Sequence, residues 1–189
     1  MSLVIGIIGE PGSGKGTCMR LLSDEAKGCT VLHMTFSSVL KETLELWGVP
    51  HSRKNLALLS PAMLETYGSD ALAEAVKKRI TASTHDIIVL DGVRWSADAA
   101  LVRSFPKNLL IYITANPSVR FARLTTRKEK SGEENMTFEQ FLSEDGARPE
   151  QEIAEIGKSA DVRIENNGTE QELLEKIKNL WSTRMLPLI

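Results

Sequence analysis

Two hydrophobic patterns alternate along the chain. Short, nearly solid apolar runs, "LVIGIIG" (3–9), "TVLHMTF" (30–36), "DIIVLDG" (86–92), "NLLIYITA" (108–115) and "ADVRIEN" (160–166), are separated by more polar stretches. A run of that length bounded by turn residues reads as a buried parallel strand. Between the runs, apolar residues recur at helical spacing, as Met19, Leu21, Leu22 and Ala26 do after Lys15. The spacing predicts helices over 15–27, from Ser37 or Ser38 to about Trp47, and over 55–80 with a break near 67–70. Further helices are predicted over 96–104, from Asn116 through an arginine-rich run, over 138–145, over 149–158, and after Asn167-Gly168. Ser60-Pro61 reads as a cap followed by proline at a first helical position, and Thr169 with Glu172 has the form of a capping box. The polar, glycine-containing stretch 129–137 reads as a mobile segment.

Strand and helix alternate five times. That predicts an α/β fold, a five-stranded parallel sheet with helices on both faces. A chain of 189 residues suits one domain, with excursions from the core near 37–80 and 128–148. The net charge of -2 argues against nucleic acid or a membrane surface held by bulk charge. No apolar run approaches the roughly 18 residues of a membrane span, and the first run turns into a glycine loop, as a strand does and a leader does not. Cys18 and Cys29 are too few for a disulfide framework. These features lead to the expectation of a cytoplasmic protein. The three histidines are scattered, and His33, in a strand pattern, is expected in the core. Trp47, Trp95 and Trp181 are expected as core or docking residues.

Candidate chemistry starts directly after the first strand. "GEPGSGKGT" runs through Gly9, Glu10, Pro11, Gly12, Ser13, Gly14, Lys15, Gly16 and Thr17. Gly9, Gly14 and Lys15 complete the G-x-x-x-x-G-K spacing of a P-loop. Glycines let the backbone fold into a nest of N–H groups, and the following helix offers its positive end. Lys15 adds a mobile point charge. The usual hydroxyl residue directly after the lysine is displaced by one, from Gly16 to Thr17. In "VLDGVR", Asp91 ends a strand and can hold Mg²⁺ with Thr17, directly or through water. Arg94 lies three residues further on; the competing readings are a helix cap for Asp91 and a surface ion pair for Arg94. Arg120, Arg123 and Arg127 share one helical face, suited to an anion or, alternatively, to a solvated face paired with Glu129, Glu133 and Glu134.

The form G-x-P-G-S-G-K-G-T resembles adenylate kinase and related nucleoside monophosphate kinases. "DGVR" is similar to their D-G-x-x-R, with the arginine one residue early and the proline absent. Arg123 and Arg127 match the R-x-x-x-R that opens their lid, with Arg148 as a second lid arginine. Where that family carries Thr-Gly-Asp-x-x-Arg for its acceptor, this chain has "FSSVLK", with Ser38 and Lys41. The stretch "ADVRIENNGT" resembles dephospho-CoA kinases and a group of small uncharacterised adenylate-kinase-like proteins, in which the turn borders adenine; Asn166, Asn167 and Gly168 match it. The resemblance implies a P-loop NTPase fold and an ATP- and Mg²⁺-dependent phosphotransferase. Lys15, Arg94, Arg123 and Arg127 would then be catalytic, and the acceptor a nucleoside monophosphate or similar small phosphorylated molecule. A kinase acting on a hydroxyl, with Asp91 as base, and a nucleotide-binding switch or slow NTPase stay open beside it.

Overall fold

Five strands form a single sheet in the computed structural model, which describes residues 1–68, 71–127, 136–146 and 148–189. They are β1 (Leu3–Ile8), β2 (Val31–Thr35), β3 (Ile87–Val93), β4 (Asn108–Thr114) and β5 (Val162–Glu165). The order is β2-β3-β1-β4-β5, and every pair is parallel. The helices are α1 (Lys15–Glu25), α2 (Phe36–Leu46), α3 (Arg53–Tyr67), α4 (Ala71–Ala82) and α5 (Ser96–Arg103). After β4 come α6 (Pro117–Arg127), α7 (Phe138–Asp145) and α8 (Arg148–Gly157), and α9 (Glu170–Leu180) follows β5.

Residue alternation in β1 divides the core. Leu3, Ile5 and Ile7 face one side, packed with Leu22 of α1 and Ile177 of α9. Val4 and Ile8 face the other, with Val76 of α4, Val102 of α5 and Ile153 of α8. Both faces are therefore apolar, which is why the strands read as solid runs. Gly6 lets neighbouring side chains close on the sheet: a Cβ there would sit 2.6 Å from Leu110 Cδ2 and 3.0 Å from Val102 Cγ2. Central β1 lies between β3 and β4, so the connections diverge at its carboxyl end and leave a crevice there.

Several local expectations change. Helix α3 starts at Arg53, earlier than the spacing suggested, because Ser52 Oγ accepts the Asn55 amide at 3.1 Å and caps it. Pro61 consequently falls inside α3 rather than at its start. Ser38 does not cap α2 by accepting an amide; its hydroxyl donates to the Thr35 carbonyl at 2.6 Å. His33 is exposed, with Nε2 2.7 Å from Ser23 Oγ, because β2 is an edge strand and only partly covered. Trp47 and Trp95 are also exposed. Thr169 Oγ1 accepts the Glu172 amide at 3.2 Å, as the capping pattern suggested. Most of the segment expected to be mobile, 129–135, lies outside the described residues.

Candidate functional site

The crevice at the carboxyl end of β1 is a cavity of about 760 Å³. The phosphate loop forms its floor through Pro11, Gly12, Gly14, Lys15, Gly16 and Thr17. Asp91 and Arg94 reach it from the end of β3, Arg123 from α6 and Arg20 from α1. Four cations and one carboxylate are thus among the described lining residues, and one of the cations, Arg20, is paired with Asp24 at 3.2 Å and Glu170 at 2.5 Å, neither of which lines the cavity.

Three contacts from other elements and one from within hold the loop. Glu10 turns away from the cavity into the core, where its Oε1 accepts the Tyr112 hydroxyl. Burial first, and the Glu10 contact second, push the Tyr112 hydroxyl up to about 12, so it stays a donor at neutral pH. Gly12 has φ +77°, and a Cβ there would lie 2.6 Å from the Arg120 carbonyl oxygen. Gly14 has φ +98°, and a Cβ would collide with the Asn166 amide, which itself donates to Ser13 O at 2.9 Å. Only glycine meets both requirements at low cost. Lys15 Nζ bridges the loop, donating to the carbonyls of Gly9 at 2.7 Å and Glu10 at 3.0 Å.

Three buried polar side-chain atoms of the loop and its neighbour β3 have no hydrogen-bond partner among the described residues: Glu10 Oε2, Ser13 Oγ and Asp91 Oδ1. Leaving such atoms unpaired costs free energy unless a ligand completes them. The loop's glycine backbone and Lys15 fit a phosphate chain, and of the three orphaned atoms only that of Asp91 belongs to a residue lining the cavity, where a carboxylate oxygen suits a cation. Thr17, half-buried on the first turn of α1, and Asp91 are the residues that would hold Mg²⁺. Asp91 arrives there through a bulge: β1 pairs Ile7 with Asp91 and Ile8 with Val93, skipping Gly92 at φ +78°. Asp98 then fixes the turn, its Oδ2 accepting the Arg94 amide at 3.0 Å and the Trp95 amide at 3.1 Å. Burial raises the Asp98 carboxyl above its ordinary value although both amides favour its charged form.

The arginines of α6 divide their work. Arg123 donates to the carbonyls of Asn166 at 2.9 Å and Gly168 at 3.2 Å, and burial lowers its pKa. It also lines a second cavity of about 610 Å³, with Ala122, Thr126, Asn167 and Gly168. Asn167 is tied to the end of β4, its Oδ1 accepting the Asn116 amide at 2.7 Å. Arg120 turns instead into the core, 4% exposed. The side chains of Arg127 and Arg148 lie outside the described residues. Ser38 and Lys41 are not among the residues lining the phosphate cavity. Ser38 lines a separate cavity beside β2, and Lys41 is exposed on α2. Arg20 and Tyr112 were not legible in sequence. Arg20 pairs with Asp24 at i+4, as an ordinary surface helix does, and Tyr112 is one apolar-run residue among several.

A parallel sheet ordered 2-3-1-4-5, with a G-x-x-x-x-G-K loop between the central strand and a helix, defines a P-loop NTPase. Within that class the chain belongs to the AAA domain family, which matches residues 8–141, and shares a family with the UPF0200 protein PH1008 of Pyrococcus horikoshii. The two are 30% identical over 185 residues, covering 95% of this chain and 96% of the relative. The UPF0200 protein of Hyperthermus butylicus is 27% identical over 180 residues, covering 95% of this chain and 94% of the relative. In fold, the chain is similar to TT1252 from Thermus thermophilus, with a TM-score of 0.59 at 19% identity, covering 97% of this chain and 98% of that one. It is also similar to shikimate kinase from Acinetobacter baumannii, solved in complex with shikimate, with a TM-score of 0.55 at 16% identity, covering 98% and 96%. Among the described residues, no helix is long and apolar enough to cross a membrane.

Proposed function

We propose that this chain is an ATP-dependent phosphotransferase that moves the γ-phosphoryl group to a nucleoside monophosphate or a similar small phosphorylated acceptor. The observation that carries the reading is the charge of the main cavity, where Lys15, Arg94 and Arg123 lie about the phosphate loop with one lining carboxylate, Asp91, the fourth lining cation, Arg20, being paired with Asp24 and Glu170. A phosphate monoester carries about -1.5 to -2 charges near neutral pH. A site with that surplus of cations suits a nucleotide chain and a second anionic group together.

In this reading the loop amides and Lys15 bind the donor phosphates. Arg94, held by the Asp98 cap, orients the acceptor phosphate in line. Arg123 neutralises charge that develops on the transferred group, and Arg127 joins it from the same helix. Mg²⁺ held at Thr17 and Asp91 would supply charge neutralisation on the donor phosphates. An acceptor phosphate oxygen is already a nucleophile, so positioning, electrostatics and exclusion of water are the chain's main contributions. The second cavity, between Arg123, Asn167 and Gly168, is proposed to take the donor base. Ser38 and Lys41 remain proposed acceptor contacts, reached if the 37–80 excursion closes on ligand binding. The proposed partners are small nucleotides rather than nucleic acid or membrane, and the proposed compartment is the cytoplasm, supported by two free thiols.

A second reading has its own support. The unpaired Asp91 Oδ1 could accept a proton, which suits a hydroxyl acceptor such as that of dephospho-CoA. One experiment separates the readings: ADP formation from ATP and Mg²⁺ with each nucleoside monophosphate, each deoxy form and dephospho-CoA, beside a Lys15→Ala control. An acceptor-dependent rate with a monophosphate, lost in the control, is the expected result. A rate only with dephospho-CoA favours the hydroxyl reading, and a slow rate indifferent to all acceptors moves the protein to the NTPase or switch class.

A further inference from the structure

Arg120 does not line the phosphate cavity, yet it is among the most buried charged groups described. Its side chain is 5% exposed and its partner Asp145 is 16% exposed. The pairing is bidentate, with Asp145 oxygens at 2.5 and 2.6 Å, and Arg120 Nε donates to Ala115 O at 3.0 Å. Phe141 lies under the guanidinium, 5.3 Å from its centroid. Burial works against the Arg120 charge, but Asp145, with smaller help from Glu10 and Tyr112, outweighs it and leaves the pKa above its ordinary value. All of this fastens the end of α7 to the first turns of α6. The same Arg120 presents its carbonyl to Gly12, the tightest backbone approach at that point of the loop.

We propose that Arg120 and Asp145 are positioning residues that latch α7 to the phosphate loop, so that docking of α7 and binding of a phosphate chain favour each other. The inference rests on the phosphate-binding reading of the loop. Three backstops hold the loop: Tyr112 at Glu10, Arg120 at Gly12 and Asn166 at Ser13 and Gly14. Those at Glu10 and Asn166 come from strand β4 and the end of β5. The middle one belongs to α6, and its residue is held by a charge on α7 that is remote in sequence. With Asp145 neutralised, a buried guanidinium loses its hydrogen-bonded counter-charge, keeps only the weaker attraction of Glu10, and α6 shifts to rehydrate it. Gly12 then loses its backstop and the nest loosens. Coupling of this kind is reciprocal, so bound phosphate must strengthen the latch by the factor by which the latch strengthens binding.

The test uses the full chain and N-methylanthraniloyl-ATP with Mg²⁺. Titration of wild type, Asp145→Asn, Asp145→Glu and Lys15→Ala gives dissociation constants, and melting of each gives stability. The expected result is binding about tenfold weaker in Asp145→Asn, within the usual range for coupled sites, and largely recovered in Asp145→Glu. Hydrogen exchange of wild-type α7 amides, with and without saturating nucleotide, needs no variant to fold. It should slow by a similar factor. A lower melting point with unchanged affinity, or α7 exchange indifferent to nucleotide, overturns the latch and leaves the phosphate reading standing. Wild type that binds no better than Lys15→Ala overturns the phosphate reading, and the latch with it.

Discussion

At the residue scale, neighbouring glycines of the loop have opposite requirements. Gly14 sits at φ +98° with the Asn166 amide where a Cβ would be, whereas Gly16, on the first turn of α1, has nothing within 4 Å. Gly14→Ala should lower stability by at least about 1–2 kcal/mol, the cost of the left-handed backbone, with the steric clash in addition. Gly16→Ala should raise it by about 0.5–1 kcal/mol, since alanine loses less freedom inside a helix. Urea unfolding of the two variants checks both signs, and equal destabilisation would contradict the loop geometry. The motif spacing made both glycines legible as loop residues. It could not distinguish them, because the difference lies in what stands opposite each one. For Gly14 that is Asn166, remote in sequence and placed there by β5.

At the element scale, carboxylates tie β2 to β3 and β4 to β5. The Thr30 amide and hydroxyl, each 2.8 Å from Asp86, hold that carboxyl below its ordinary value. Partial burial works to raise Asp161, but Arg103 at 2.6 Å and the Leu110 amide at 2.7 Å outweigh it and lower its pKa. A lowered folded pKa means stability fully present above the ordinary value of 3.8 and lost as pH falls through the folded value. Acid unfolding followed by circular dichroism should therefore steepen below that point, and Asp161→Asn should flatten part of the slope. An unchanged slope would show that Asp161 is equally paired in the unfolded chain. Strand positions were readable from the apolar runs. The ties between them were not, since Arg103, Leu110 and Asp161 come together only when β4 and β5 pair. Helix starts were less legible than strands: Ser60-Pro61 carried the expected start signal, but Ser52 supplied the actual cap.

At the scale of the whole molecule, the site is assembled from the ends of elements that the sheet gathers. A ligand that binds only the assembled crevice must stabilise the whole fold. At a concentration of 100 dissociation constants the gain is about 2.7 kcal/mol, or roughly 5–10 °C for a domain of this size. Melting with and without ATP and Mg²⁺ should show that rise in wild type and little of it in Lys15→Ala. The sequence by itself determined the class: five apolar runs alternating with helical spacing, and a loop whose glycines and lysine are contiguous, both being local patterns with local physical causes. Only the tertiary structure decided the partnerships. It turned Glu10 into the core, brought Arg20 to the cavity, paired Arg120 with Asp145, and placed Ser38 in the lining of a different cavity. Those outcomes depend on which strand lies beside which, and strand order is fixed by burying both faces of the sheet at once, a condition that no single segment carries.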